Sequence, residues 1–120
     1  MEHFKMKDYC VKDIESEKDL ISMFYDKNCN YSLKISILKH NNFNQDFLKK
    51  LALEDKDKVI RLIAVSKVSD IKILKKVYLN DENDFVRYFA KKKLAEPQNN
   101  GEEFLINSLR EYEQLKENIK

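Results

Sequence analysis

An internal repeat constrains this chain more than any other feature. Residues 48–68 laid over residues 74–94, an offset of 26 positions with no gap, give eight identities in 21 pairs. They are Leu48/Leu74, Lys49/Lys75, Lys50/Lys76, Leu53/Leu79, Asp55/Asp81, Arg61/Arg87, Ala64/Ala90 and Lys67/Lys93. Apolar character is kept at Leu51/Val77, Ile60/Val86, Ile63/Phe89 and Val68/Leu94. A period of this size means stacked supersecondary units, each burying its apolar face only against its neighbours.

Each unit reads as two short helices. Leu48, Leu51 and Ala52, then Leu74, Val77 and Tyr78, follow the i, i+3, i+4 spacing of one helix face. A polar turn follows, Glu54-Asp55-Lys56-Asp57 in one unit and Asn80-Asp81-Glu82-Asn83-Asp84 in the next. Its Asp and Asn oxygens suit the unpaired N–H groups that open the second helix. That helix carries Ile60, Ile63, Ala64 and Val68, then Val86, Phe89, Ala90 and Leu94, a stripe buried on one side. The repeated Ala64 and Ala90 mark a close approach of two backbones, where a larger side chain overpacks. A weaker copy lies at an offset of 27: Ile21, Phe24 and Tyr25 fall on Leu48, Leu51 and Ala52, Asn28 on Asp55, Leu33 on Ile60, Lys34 on Arg61 and Ile37 on Ala64. Three units are therefore expected, over 17–42, 43–69 and 70–95, with the first atypical as a terminal repeat. Ser16 with Asp19 three positions on places the first helix start near Glu17.

The stretch NDENDFVRYFAKKKL, residues 80–94, resembles HEAT-like repeats through Asp81, Val86-Arg87, Ala90 and Leu94. DKDKVIRLIAVSKV, residues 55–68, matches the same pattern with Ile60 in the Val position, and the short period is similar to the leucine-rich-repeat variant. The resemblance spans about residues 20–95 and implies an all-α fold, a short α-solenoid of about three helical pairs. It implies little about function. The iron–sulfur segment beside some variant repeats needs a Cys cluster, and Cys10 and Cys29 do not supply one. DNA glycosylases and bilin-related lyases built from HEAT-like repeats are longer, and this chain has no Trp.

Residues 96–103 hold the only Pro, Pro97, and the only Gly, Gly101, and read as a linker. Beyond it Phe104, Leu105, Leu109, Tyr112 and Leu115 space out as an amphipathic helix over 104–120. That helix is expected to cap the last repeat, with docking on a second molecule to form a homodimer as the alternative. Residues 1–16, with Phe4, Met6, Tyr9 and Cys10, fit a strand and a helix equally badly and read as an N-terminal arm. The whole is expected to be a single domain. No secretory h-region and no apolar run of ~18 residues are present, so no membrane is expected and a reduced, cytoplasmic setting is.

Catalytic signatures are lacking. One glycine cannot build a phosphate-cradling loop, and neither H-E-x-x-H nor a nucleophile elbow occurs, so no enzyme and no cofactor are expected. His3, Cys10, Cys29 and His40 lack zinc-ligand spacing, so no metal is expected. The expected role is a protein-interaction module in which stacked second helices present Arg61, Leu62, Val65 and Ser66 with Arg87, Tyr88, Lys91 and Lys92 to a protein partner. Tyr88 and Phe85, off the core stripe, are either binding anchors or groove fillers. Arg61 and Arg87 read either as anion-binding forks or as a structural ladder onto Asp55, Asp57, Asp81 or Asp84, and the resemblance favours the ladder. The alternative function is nucleic-acid binding through phosphate contacts by Lys49, Lys50, Lys75 and Lys76. Residues 46–94 carry 13 basic and 8 acidic side chains, against 3 and 6 in residues 95–120, so the positive charge sits in the repeats.

Overall fold

The computed structural model describes residues 16–99 and 101–118, and among them every regular element is a helix. The fold is all-α. The helices are α1 (Glu17–Tyr25), α2 (Tyr31–His40), α3 (Gln45–Glu54), α4 (Lys58–Lys67), α5 (Ile71–Asn80), α6 (Asp84–Ala95) and α7 (Gly101–Asn118). The chain divides into two compact units, residues 1–43 and 44–120. The predicted N-terminal arm lies outside the described residues, apart from Ser16.

In the first unit α1 and α2 pack on each other. Ser16 opens α1, its hydroxyl accepting from the Asp19 N–H, and Asn30 opens α2 by accepting from the Leu33 N–H at 2.8 Å. Leu20, Met23, Phe24, Ile37 and Leu38 are buried. Asn28 does not do the work of Asp55, as the offset of 27 implied. Asp26 does: like Asp55 and Asp81 it is the C-cap of its helix, and its carboxylate accepts from the N–H two residues on. The turn before the next N-cap is two residues longer here, so a gapless offset misplaces it.

The second unit has three layers. α3 and α5 lie side by side, α4 and α6 pack beneath them, and α7 packs across α6 and α4. The repeat of 26 is visible in the elements themselves: α5 begins and ends 26 residues after α3, and α6 begins 26 after α4. Asn44, Asp57, Asp70 and Asn83 cap the four N-termini through side-chain oxygens. The core holds Leu48, Leu51, Ala52, Ile60, Ala64, Leu74, Val77, Val86, Phe89 and Ala90. The last helix starts at Gly101, three residues before the apolar spacing begins. Gly101 takes a φ of 87°, open to glycine, and Glu102 and Glu103 occupy the electropositive first turn.

Ala64 and Ala90 have no exposed surface. Ala90→Leu is expected to destabilise the chain by about 1–3 kcal/mol through overpacking, and Ala64→Leu similarly. Urea denaturation followed by circular dichroism measures both.

Candidate docking surface

The eight repeated identities separate by location, and that separation finds the site. Leu48/Leu74 and Ala64/Ala90 are core. Asp55/Asp81 and Arg61/Arg87 build the turns. Arg61 is buried and donates from Nη1 to the carbonyls of Asp55 and Lys56, at 2.9 and 3.2 Å, and from Nε and Nη2 to the Asp81 carboxylate, at 2.8 and 3.2 Å. It thus satisfies the carbonyl end of α3 and ties that turn to the next one. Arg87 repeats the first half, donating to the Asp81 carbonyl, but no following turn offers it a carboxylate, so its other nitrogen turns back to Asp84. The groove between the two turns is lined by Asp55, Asp81 and Glu82 around an Arg61 that already uses four of its five N–H donors, with Glu82 at 3.9 Å from Nη2.

Lys67/Lys93 concerns helix ends as well. Lys93 is buried in α6, and its ammonium donates to the carbonyls of Val65, Ser66 and Val68 at 2.9, 3.0 and 2.8 Å. These carbonyls lie at the C-terminus of α4, where that of Val65 also accepts from the Val68 N–H at 3.2 Å. Gln45 supports the same corner, donating to the Lys67 carbonyl and accepting from the Ser69 N–H. Burial pushes Lys93 down to about 8. Sequence reasoning did not single out Lys93, although its identity with Lys67 was the available signal.

The predicted face of the second helices is largely taken. Val65 is fully buried and Arg61 nearly so, because one packs into the core and the other staples two turns, and neither can meet a partner. Tyr88 and Phe85 are groove fillers: both lie 5.2 Å from Tyr112 of α7, ring centroid to centroid, and Phe104 sits 5.6 Å from Phe89. Lys92 reaches Glu111 of α7 and Glu96, each at 3.0 Å, and these hydrogen bonds hold its pKa above the usual lysine value. Ser108, fully buried, folds its hydroxyl onto the Phe104 carbonyl and lets α7 come close. Arg87 and Leu62 are half-buried, as is Ser66, whose hydroxyl donates to the Ile63 carbonyl. Only Lys91 is exposed, its ammonium 5.9 Å from the Tyr78 ring.

The three identities left over, Lys49/Lys75, Lys50/Lys76 and Leu53/Leu79, lie on the outer face of α3 and α5. Lys50, Lys75, Lys76, Leu53 and Leu79 are exposed, with Ile71 and Lys72 beside them. Leu79 keeps 69% of its surface in solvent and Ile71 60%. Lys49 is half-buried and reaches Asp70 at 3.1 Å. That hydrogen bond, with the backbone N–H of Lys72, holds the Asp70 carboxyl below its usual range. The face carries five lysines (49, 50, 72, 75 and 76) against Asp46, Glu54 and the Asp70 that pairs with Lys49.

No group of three or more His, Cys, Asp or Glu among the described residues is placed to hold a metal ion. Cys29 is a buried free thiol whose pKa burial raises, and His40 is exposed, while His3 and Cys10 fall outside the described residues. No described helix is long and apolar enough to cross a membrane. A scan against protein-family models, a search of curated proteins and a search of solved structures each found no match.

Two stability predictions follow from these contacts. The Arg61 and Asp81 side chains are 7% and 5% exposed, so Asp81→Ala leaves a buried guanidinium uncompensated and is expected to cost about 3–5 kcal/mol. Asp84→Ala, removing a partner that is 73% exposed, is expected to cost under about 1 kcal/mol. Equilibrium denaturation of the two variants measures the contrast. For Lys93, below pH 8 the ammonium is charged whether the chain is folded or not, and the cost of burying it is carried in full. Between about 8 and the ordinary 10.5 the unfolded chain keeps a proton that the folded chain releases, so stability rises with pH. The stability of the wild type relative to Lys93→Met is therefore expected to be flat below pH 7 and to climb across that window, at up to about 1.4 kcal/mol per pH unit. Urea melts at a series of pH values test it.

Proposed function

We propose that this chain is a protein-interaction module, and that its partner docks on the outer face of α3 and α5. The observation that supports this most is the repetition of exposed residues. Packing accounts for the repeated leucine and alanine of the core, and helix ends account for the repeated Asp and Arg and for Lys93. Neither accounts for Leu53/Leu79, which are exposed in both units. A leucine with 69% of its surface in water contributes little to the fold, yet it gains by being covered.

The mixture of residues argues for the class of partner. Phosphate contacts need cations alone. Here apolar side chains sit between the lysines, Leu79 one turn on from Lys75 and Lys76, and Ile71 one turn before. That pattern suits an acidic surface studded with apolar groups. Backbone ordering costs are low, since every lysine of the face stems from a packed helix. We take the chain to act by binding rather than turnover, in a reducing compartment where Cys29 stays a thiol.

The same lysines support nucleic-acid binding as the second reading, and one experiment separates the two. Tagged wild type, Leu53→Ser/Leu79→Ser, Lys75→Glu/Lys76→Glu and Lys91→Glu are used to capture ligands from native lysate with and without nuclease. The docking reading expects a protein retained stoichiometrically after nuclease treatment by the wild type and Lys91→Glu. The other two variants should each lose it at least tenfold. Retention of nucleic acid that the leucine variant keeps and the Lys75→Glu/Lys76→Glu variant loses would move the assignment to phosphate contacts.

A further inference from the structure

Among the described residues, α7 packs on α6 and α4 through one face. Phe104, Ser108 and Tyr112 point to α6 and α4. The opposite stripe carries Glu102, Ile106, Glu113 and Glu117 at i, i+4, i+11 and i+15, which a 3.6-residue period places within about 60° of one another. Glu103 and Leu109 flank it, and all six are exposed. This outward face has four glutamates against two basic neighbours, Arg110 and Lys116, with two apolar side chains among them. The outer face of α3 and α5 has five lysines against three acids, Asp46, Glu54 and Asp70, with Leu53, Ile71 and Leu79 among them. The two faces are opposite in charge, alike in carrying apolar groups, and turned away from each other on the first and third layers of one unit. They cannot meet within a single chain.

Resting on the docking face argued above, we propose that its occupant is the outward face of α7 of a second copy of this chain. Ile106 and Leu109 then lie on the Leu53–Leu79 ridge, and Glu103, Glu113 and Glu117 oppose the lysines. The contact joins two different surfaces, so it is heterologous. Each added copy leaves one basic and one acidic face free, and the assembly extends as an open row instead of stopping at a dimer. One helix laid across two short ones is an interface at the small end of the range, and its charges are exposed. Association is therefore concentration dependent at low ionic strength and is lost when salt screens the faces.

Sedimentation velocity of the full chain across a concentration series, at low and high salt, tests this. At low salt the weight-average mass should rise past that of a dimer with concentration, and at high salt it should return to that of one chain. Lys75→Glu/Lys76→Glu and Glu113→Lys/Glu117→Lys should each stay monomeric at low salt. Both pairs in one chain, which exchange the charges across the contact, should assemble again, and so should a mixture of the two variants. Circular dichroism checks that all remain helical. A wild type monomeric throughout, or a four-fold variant that fails to reassemble while still helical, overturns the second copy as occupant. If Lys75→Glu/Lys76→Glu nevertheless abolishes capture of another protein from lysate, the docking face itself stands. If capture too is unchanged, both fall.

Discussion

A ten-residue helix leaves four N–H groups at one end and four carbonyls at the other without a partner inside the helix. Four of the helices here have that length, so unpaired end groups are a large fraction of the backbone and their satisfaction governs the whole structure. The N-terminal ends are met locally, by Ser16, Asn30, Asn44, Asp57, Asp70 and Asn83, each accepting from an N–H two or three residues on. The C-terminal ends draw on more distant residues. Arg61 and Arg87 serve the carbonyl ends of α3 and α5, and Lys93 serves that of α4 from 25 to 28 residues away. Because the long-range donors bind one helical pair to the next, the groups that complete the backbone also set the spacing of the stack.

A stack built in this way has to end somewhere, and the ending explains what α7 does. Arg61 finds a carboxylate in the following turn at Asp81, whereas the position 26 residues beyond Asp81 is Asn107, inside α7. Arg87 therefore folds back on Asp84 at the surface. The last pair is closed by a single longer helix, held by the rings of Phe104 and Tyr112 against Phe85, Tyr88 and Phe89 and by Glu111 against Lys92. Aromatic pairs of this kind contribute about 0.5–1.5 kcal/mol each beyond their burial. An 18-residue helix with one fully buried residue depends on that anchorage, since helices in proteins are held mainly by packing of one face and not by propensity.

Which parts of this were legible in the sequence follows from how local their causes are. Helix positions in the second unit, the caps and the close-packed alanines come from spacing within a few residues, and the repeat doubles each signal. The α1–α2 turn was misplaced because Asp26 keeps its geometric role while two residues are added after it, which a gapless comparison assigns to Asn28. The binding face was placed on α4 and α6 because periodicity gives the exposed stripe of a helix before anything covers it. That Val65, Tyr88 and Lys92 are engaged depends on where other elements pack, and no spacing in residues 84–95 states it. The repeated lysines of α3 and α5 were visible, but as one of several basic clusters; nothing in the sequence separates Lys93 at three carbonyls from Lys76 in water.

The sorting of basic residues bears directly on what the surface can bind. Counted along the sequence, residues 46–94 have an excess of five positive charges. Arg61 and Arg87 are held at turns, Lys93 is inside, and Lys92 is neutralised by two glutamates. The charge open to a partner is smaller than composition implies, but it lies on one side. On the opposite side of the second unit the excess is negative, on α7. Basic and acidic faces on opposite layers of this unit give it a dipole, which can orient an approaching charged surface. On the docking reading proposed above, the exposed leucines contribute to what stays bound, because covering them removes apolar surface from water.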